Sequence, residues 1–162
     1  MTGSAIITLG SAPVVPAITG ATSVCPGNTI TLSNTTAGGV WSIDLTNIAT
    51  VNSSTGAVTG VAAGTATIKY TVTNTCGTTE VTMPVTVDAI ANAGAIAGAS
   101  SICVNASETF TASGSGGTWS SNHPEIASVN ASTGAVTGVS AGSATITYTV
   151  TTGCGSSNTA FL

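Results

Sequence analysis

Charge is nearly missing from this chain. Across 162 residues Lys69 is the sole basic side chain, there is no arginine, and Asp44, Glu80, Asp88, Glu108 and Glu125 are the only acids. A nucleic-acid backbone is gripped by several lysines and arginines acting together, so nucleic-acid partners are excluded. The same shortage removes polybasic attachment to an anionic membrane. Long apolar runs are missing too. Mean hydropathy is +0.50, yet no window approaches the ~20 consecutive apolar residues of a spanning helix, so membrane insertion is not expected. The hydrophobicity comes instead from Val, Ile and Ala alternating with Thr and Ser, which is strand chemistry. Met1 to Gly10 lacks the basic and apolar regions of a signal peptide, and the chain is expected to be a mature fragment.

Catalytic groups are as scarce as charges. His123 is the only histidine, and a Ser or Thr nucleophile needs a base within hydrogen-bond reach. The carboxylates are scattered, and calcium wants six to eight oxygen ligands. No catalytic residue, cofactor or metal site is expected, and the chain is not read as an enzyme.

What is present is a repeat. Shifted by 78 residues the chain falls onto itself without a gap, placing Cys25, Trp41, Tyr70 and Cys76 on Cys103, Trp119, Tyr148 and Cys154. The run STGAVTGV stands at Ser54 to Val61 and again at Ser132 to Val139. Catalysis usually needs a unique cleft, whereas duplicated modules build length and surface. The division read from the offset is an N-terminal strand at 1–10, module 1 at 11–88 and module 2 at 89–162, joined by the short linker DAIANAG, which suggests limited bending.

Each module reads as strands and turns. Ala66, Ile68, Tyr70 and Val72 alternate with Thr65, Thr67, Lys69, Thr71 and Thr73, and the second copy repeats the pattern around Ile146, Tyr148 and Val150. Further strands are expected near Thr29 to Ser33, Gly39 to Ser42, Ile48 to Asn52, Ala57 to Val61 and Thr79 to Val87, separated by Gly, Pro and Asn turn formers. No segment shows a helical period. The fold class expected is all-β, two tandem immunoglobulin-like β-sandwich modules, with Trp41, Tyr70, Trp119 and Tyr148 in the cores. A sugar platform is the rival role for the two tryptophans.

A module this small buries only about 60% of its unfolded-chain surface, so a staple is expected. Four cysteines allow three pairings, and zinc is disfavoured because no pair has short CxxC spacing. The repeat favours Cys25 with Cys76 and Cys103 with Cys154, since each module must fold alone. Such a bridge would clamp the first strand to the last hairpin, worth about 4 kcal/mol in the chain-entropy model.

The segment from Trp119 to Val129, WSSNHPEIASV, followed by TGAVTGVSAGSATITY, resembles the bacterial immunoglobulin-like group 2 domain of intimin-like and invasin-like surface proteins. The resemblance covers both modules, although the loop Ile43 to Asn47 departs from it and lacks the proline. The cysteines and the endings TCGTTEV and GCGSSNT resemble versions repeated in large secreted proteins of Bacteroidota-type bacteria. It implies an extracellular, cell-surface setting and a structural role in an adhesin or filament. The alternative is a binding module that grips surface glycan or ice through its loops or its threonine face. The Asn-X-Ser/Thr sites at Asn34, Asn52, Asn105 and Asn130 are read as by-products of composition.

The ends follow the repeat as well. Ala5, Ile6, Ile7, Thr8 and Leu9 align with Met83 to Val87, the closing strand of module 1, while Leu162 aligns with Pro84. Two explanations stand: a window cut from a longer array, or strand addition, in which the first strand of one subunit completes the sheet of a neighbouring identical one.

Overall fold

The computed structural model describes residues 9–161. Strands and turns make up the described residues, with no helix among them. Two compact units divide the chain, Met1–Ala89 and Ile90–Leu162, and each carries its own core.

In the first unit the strands are β1 (Ser23–Val24), β2 (Thr29–Thr31), β3 (Val40–Ile43), β4 (Ala49–Val51), β5 (Ala57–Gly60), β6 (Gly64–Asn74) and β7 (Gly77–Val87). One sheet runs β1-β7-β6-β3 and the other β2-β5-β4. The long β6–β7 hairpin follows directly from the alternating pattern. Ala66, Ile68, Tyr70 and Val72 are buried beneath it, and the intervening threonines stay on the outer face. Its pairing is unbroken from Asn74↔Gly77 to Gly64↔Val87. Trp41 pairs with Tyr70 across β3 and β6, their rings 4.5 Å apart and tilted. The Tyr70 hydroxyl donates to Thr36 O at 2.6 Å and accepts from Gly39 N at 2.9 Å, so the buried phenol is satisfied.

The second unit repeats the plan with β8 (Ile96–Ala97), β9 (Ser107–Thr109), β10 (Thr111–Ala112), β11 (Thr118–Ser121), β12 (Ala127–Val129), β13 (Ala135–Gly138), β14 (Ile146–Thr152) and β15 (Gly155–Phe161). Its sheets are β11-β14-β15, β12-β13-β9 and the small pair β10-β8. Trp119 and Tyr148 repeat the tilted stack at 4.7 Å.

The shared STGAVTGV run has a backbone reason. Asn52 Oδ1 accepts from Ser54 N and Thr55 N, and Asn130 Oδ1 does the same for Ser132 and Thr133, tying off the β4–β5 and β12–β13 turns. Gly56 and Gly134 then sit at φ 71 and 72. A Cβ there would lie 2.6 Å from Leu32 O and 2.8 Å from the Trp41 ring, or 2.5 Å from Phe110 O and 2.9 Å from the Trp119 ring.

Candidate functional site

The side chains that might have supplied chemistry are dispersed. His123 Nδ1 lies 2.8 Å from Glu125 Oε1, with both side chains exposed on the β11–β12 loop. Hydrogen bonds to its own backbone N–H and to His123 hold the Glu125 carboxyl below its ordinary range. The hydroxyls nearby bond backbone and not the imidazole: Ser121 Oγ accepts from His123 N at 3.2 Å, and Ser140 Oγ donates to Glu125 O at 2.8 Å. Among the described residues no group of three His, Cys, Asp or Glu side chains gathers as a metal site. Trp41 and Trp119 are buried beneath their sheets, which leaves no ring face to stack on a sugar. Two of the four glycosylation-type asparagines, Asn52 and Asn130, spend their side chains on turns. Asn34 donates to Pro16 O at 2.7 Å.

The outer threonines largely bond one another. Thr65 meets Thr86 at 3.2 Å and Thr73 meets Thr78 at 2.9 Å, while Thr71 donates to Glu80 and Lys69 pairs with the same carboxylate at 3.3 Å. These cross-strand pairs brace the hairpin.

The cysteine pairing expected within each module is not formed. Cys76 and Cys103 carry free, exposed thiols, whereas Cys25 and Cys154 are disulfide-bonded. The topology gives the reason. Cys25 directly follows Val24, which pairs with Val87 at the far end of β7, and Cys76 directly precedes Gly77 at its start. Eleven residues of strand separate them, about 35 Å at ~3.3 Å per residue, and a disulfide needs Cα atoms within about 7 Å. The parallel β1–β7 pairing is only two residues long, too short to leave a periodic signal in sequence.

Each module therefore carries one cysteine at each pole. Chain enters module 1 beside the hairpin tip: Asn74 Nδ2 donates to Ser11 O at 2.9 Å and Thr79 Oγ1 to Pro13 O at 2.7 Å, and a Cβ on Gly10 would lie 2.5 Å from Cys76 Sγ. Chain leaves at the opposite pole, where Asp88 N donates to Val24 O at 3.0 Å, next to Cys25. Module 2 repeats the arrangement. Ala93 N donates to Ser157 Oγ near the Cys154 hairpin tip, while the Cys103 carbonyl approaches Gly138 at the far pole.

The two modules differ most at that far pole. In module 1 Val85 and Val87 are 0% and 1% exposed, pairing with Ala66 and Gly64, and Val87 closes against Gly60. In module 2 the β14–β15 pairing stops at Ile146↔Phe161. The place of the two valines is taken by a cavity of about 220 Å³ lined by Ile102, Val136, Gly138, Ala144, Ile146 and Phe161, among others. Gly142–Thr145, the counterparts of the first four residues of β6, are not in a strand. Ser100, Ser101, Ser140 and Ser143 also line it, so the trough is mixed in polarity, and it lies beside unladdered backbone, an arrangement suited chemically to accepting an extended segment. Ala5 to Thr8 lie outside the described residues, and Leu9 is 93% exposed and outside any strand.

The fold is that of two immunoglobulin-like sandwiches in tandem. Residues 15–83 and 84–160 match the bacterial Ig-like domain (group 2) family, and the chain belongs to it. No curated protein matches the chain. Among solved structures, a C-terminal 282-residue fragment of intimin, determined in complex with the intimin-binding domain of the translocated intimin receptor, is similar at TM-score 0.58 and 19% identity. It aligns over 92% of this chain and 64% of that one, less than two thirds of its length. The S-layer protein rSbsC(31-844) aligns over 94% of this chain and 28% of its own, at 20% identity and TM-score 0.36.

Proposed function

We propose that the chain is a non-catalytic structural part of an extracellular bacterial surface adhesin or filament, its modules acting as stalk or spacer and its copies joining end to end by strand addition. The observation that carries this reading is the trough of module 2 where module 1 holds Val85 and Val87. In the repeat alignment Ile7 and Leu9 stand for those two valines, with Thr8 between them for the outward Thr86. Strand addition supplies main-chain bonds along Gly142–Ala144, which precede β14 and lie outside any strand, and two apolar side chains for the cavity. The residues that recur at the 78-residue offset are core and turn positions, which also supports a spacer role. The surface setting rests on family membership and on the intimin fragment's fold.

Removing Met1 to Leu9 tests it. Circular dichroism should show both modules still folded, while sedimentation shows loss of self-association, and a synthetic peptide TGSAIITLG should bind the shortened chain and raise its melting temperature. Polymers that persist without the segment would eliminate strand addition. Reproducible affinity on a glycan array, or ice shaping, would replace the spacer role with the binding one.

A further inference from the structure

We infer that Cys76 and Cys103 are the two halves of an intermolecular disulfide, Cys76 of one copy joined to Cys103 of the next, which locks an end-to-end junction covalently. The inference rests on the strand-addition reading and adds a partner and a bond to it. Three observations converge. Both thiols are free and exposed. Cys76 stands at the hairpin tip of module 1 and Cys103 at the far pole of module 2, so neither can close on the other cysteine of its own module. Their counterparts in the repeat, Cys154 and Cys25, are disulfide-bonded, so these two structural positions are ones where bridges form.

Register brings the two thiols together. If Leu9 of a donor copy takes the role of Val87, Gly10 takes the role of Asp88, whose N–H donates to Val24 O immediately before Cys25. In module 2 of the acceptor that carbonyl belongs to Ile102, and the next residue is Cys103. Within the donor, Gly10 packs so closely on Cys76 that a Cβ would stand 2.5 Å from its Sγ. Glycine at this position keeps the thiol against the incoming strand, and the same insertion that fills the trough delivers Cys76 to Cys103.

The chemistry needs an oxidant, which a low-molecular-weight disulfide such as oxidised glutathione provides. One cysteine thiolate attacks it, forming a mixed disulfide and releasing one small thiol. The second thiolate attacks the protein-side sulfur and expels the other. The protein loses two protons and two electrons, and the small disulfide is reduced to two thiols.

The test is oxidation of the purified full chain with oxidised glutathione, followed by non-reducing electrophoresis and mass spectrometry of proteolytic peptides. A ladder extending beyond dimers, carrying Cys76–Cys103 linked peptides and collapsing on reduction, is expected. Cys76→Ser or Cys103→Ser should each stop at dimers at most, and the chain lacking Met1 to Leu9 should give no ladder. Sedimentation of the Cys76→Ser/Cys103→Ser double variant reads strand addition alone. Non-covalent assemblies accompanied in the unaltered chain by thiols that stay free, or linked as 76–76 and 103–103, would overturn the disulfide and leave strand addition standing. Absence of any assembly in either chain removes both.

Discussion

Modules 1 and 2 have the same aromatic stack, the same Asn-anchored turn and the same buried strand face, and they part company over a few residues at one pole. Where Val85 and Val87 seal module 1, module 2 has a cavity. The neighbours register the difference. Ala49, Ala66 and Val24 are buried in module 1, while Ala127, Ala144 and Ile102 at the same places are only partly covered. In both modules the Trp–Tyr pair lies away from this pole, nearer the hairpin tip. The vacancy in module 2 stands where those two valines sit in module 1.

The sharpest way to break that comparison is to attack what the modules share. Trp41→Ala and Trp119→Ala each remove a large buried ring at a cost of about 3–5 kcal/mol. Calorimetry should show each substitution abolishing one transition and sparing the other, and simultaneous loss of both would mean that the modules do not fold independently. A smaller effect is expected from filling the vacancy. Appending Val-Thr-Val after Leu162 extends β15 over the trough, and at about 1.5–3 kcal/mol per buried valine it should raise the module 2 transition measurably. Val85→Ala and Val87→Ala in module 1 should each lower its transition by about 1.5 kcal/mol, the loss of two methyl-sized groups from a closed site. Insensitivity of module 2 to the added strand would show that the trough is not a strand site.

The architecture was legible because the period-2 pattern of β6 and β14 and the glycines of the turns are imposed by local backbone geometry. The cysteine pairing was not. Equal spacing within each copy reads as a bond within each copy, and only the parallel pairing of Ser23–Val24 with the end of β7 reveals that Cys25 and Cys76 stand at opposite poles. A two-residue parallel contact, formed across more than sixty residues of sequence, carries no periodicity and no turn signal. The packing of Gly10 on Cys76 was equally hidden, because it depends on where an irregular segment crosses a hairpin tip.

A finer difference lies in the tyrosines. Tyr70 both donates to Thr36 O and accepts from Gly39 N, whereas the bond seen at Tyr148 is acceptance from Gly117 N. Each buried hydrogen bond lost with an unsatisfied partner costs about 1 kcal/mol or somewhat more. Tyr70→Phe should therefore destabilise module 1 more than Tyr148→Phe destabilises module 2, as read from denaturant midpoints. Equal shifts would show that the Thr36 bond contributes nothing net.

The smallest expected difference is one of pH. Asp44 Oδ1 accepts from Thr67 N at 2.8 Å, and Asn122 Oδ1 accepts from Thr145 N at 2.7 Å in the same position of module 2. The backbone bond from Thr67 holds the Asp44 carboxyl below its ordinary range. A carboxylate whose pKa is depressed on folding stabilises the module fully above its unfolded value of about 3.9, and that contribution disappears as pH falls through the lower folded value. The amide at Asn122 has no proton to gain there. Acidification below roughly pH 4 should thus weaken this latch in module 1 and leave its counterpart intact. Asp44→Asn should flatten the acid limb of the module 1 stability profile while preserving the hydrogen bond. The side chain is exposed, so the change is expected to be slight. An acid limb unaltered by Asp44→Asn would mean that the carboxylate's charge adds nothing to what the amide already provides.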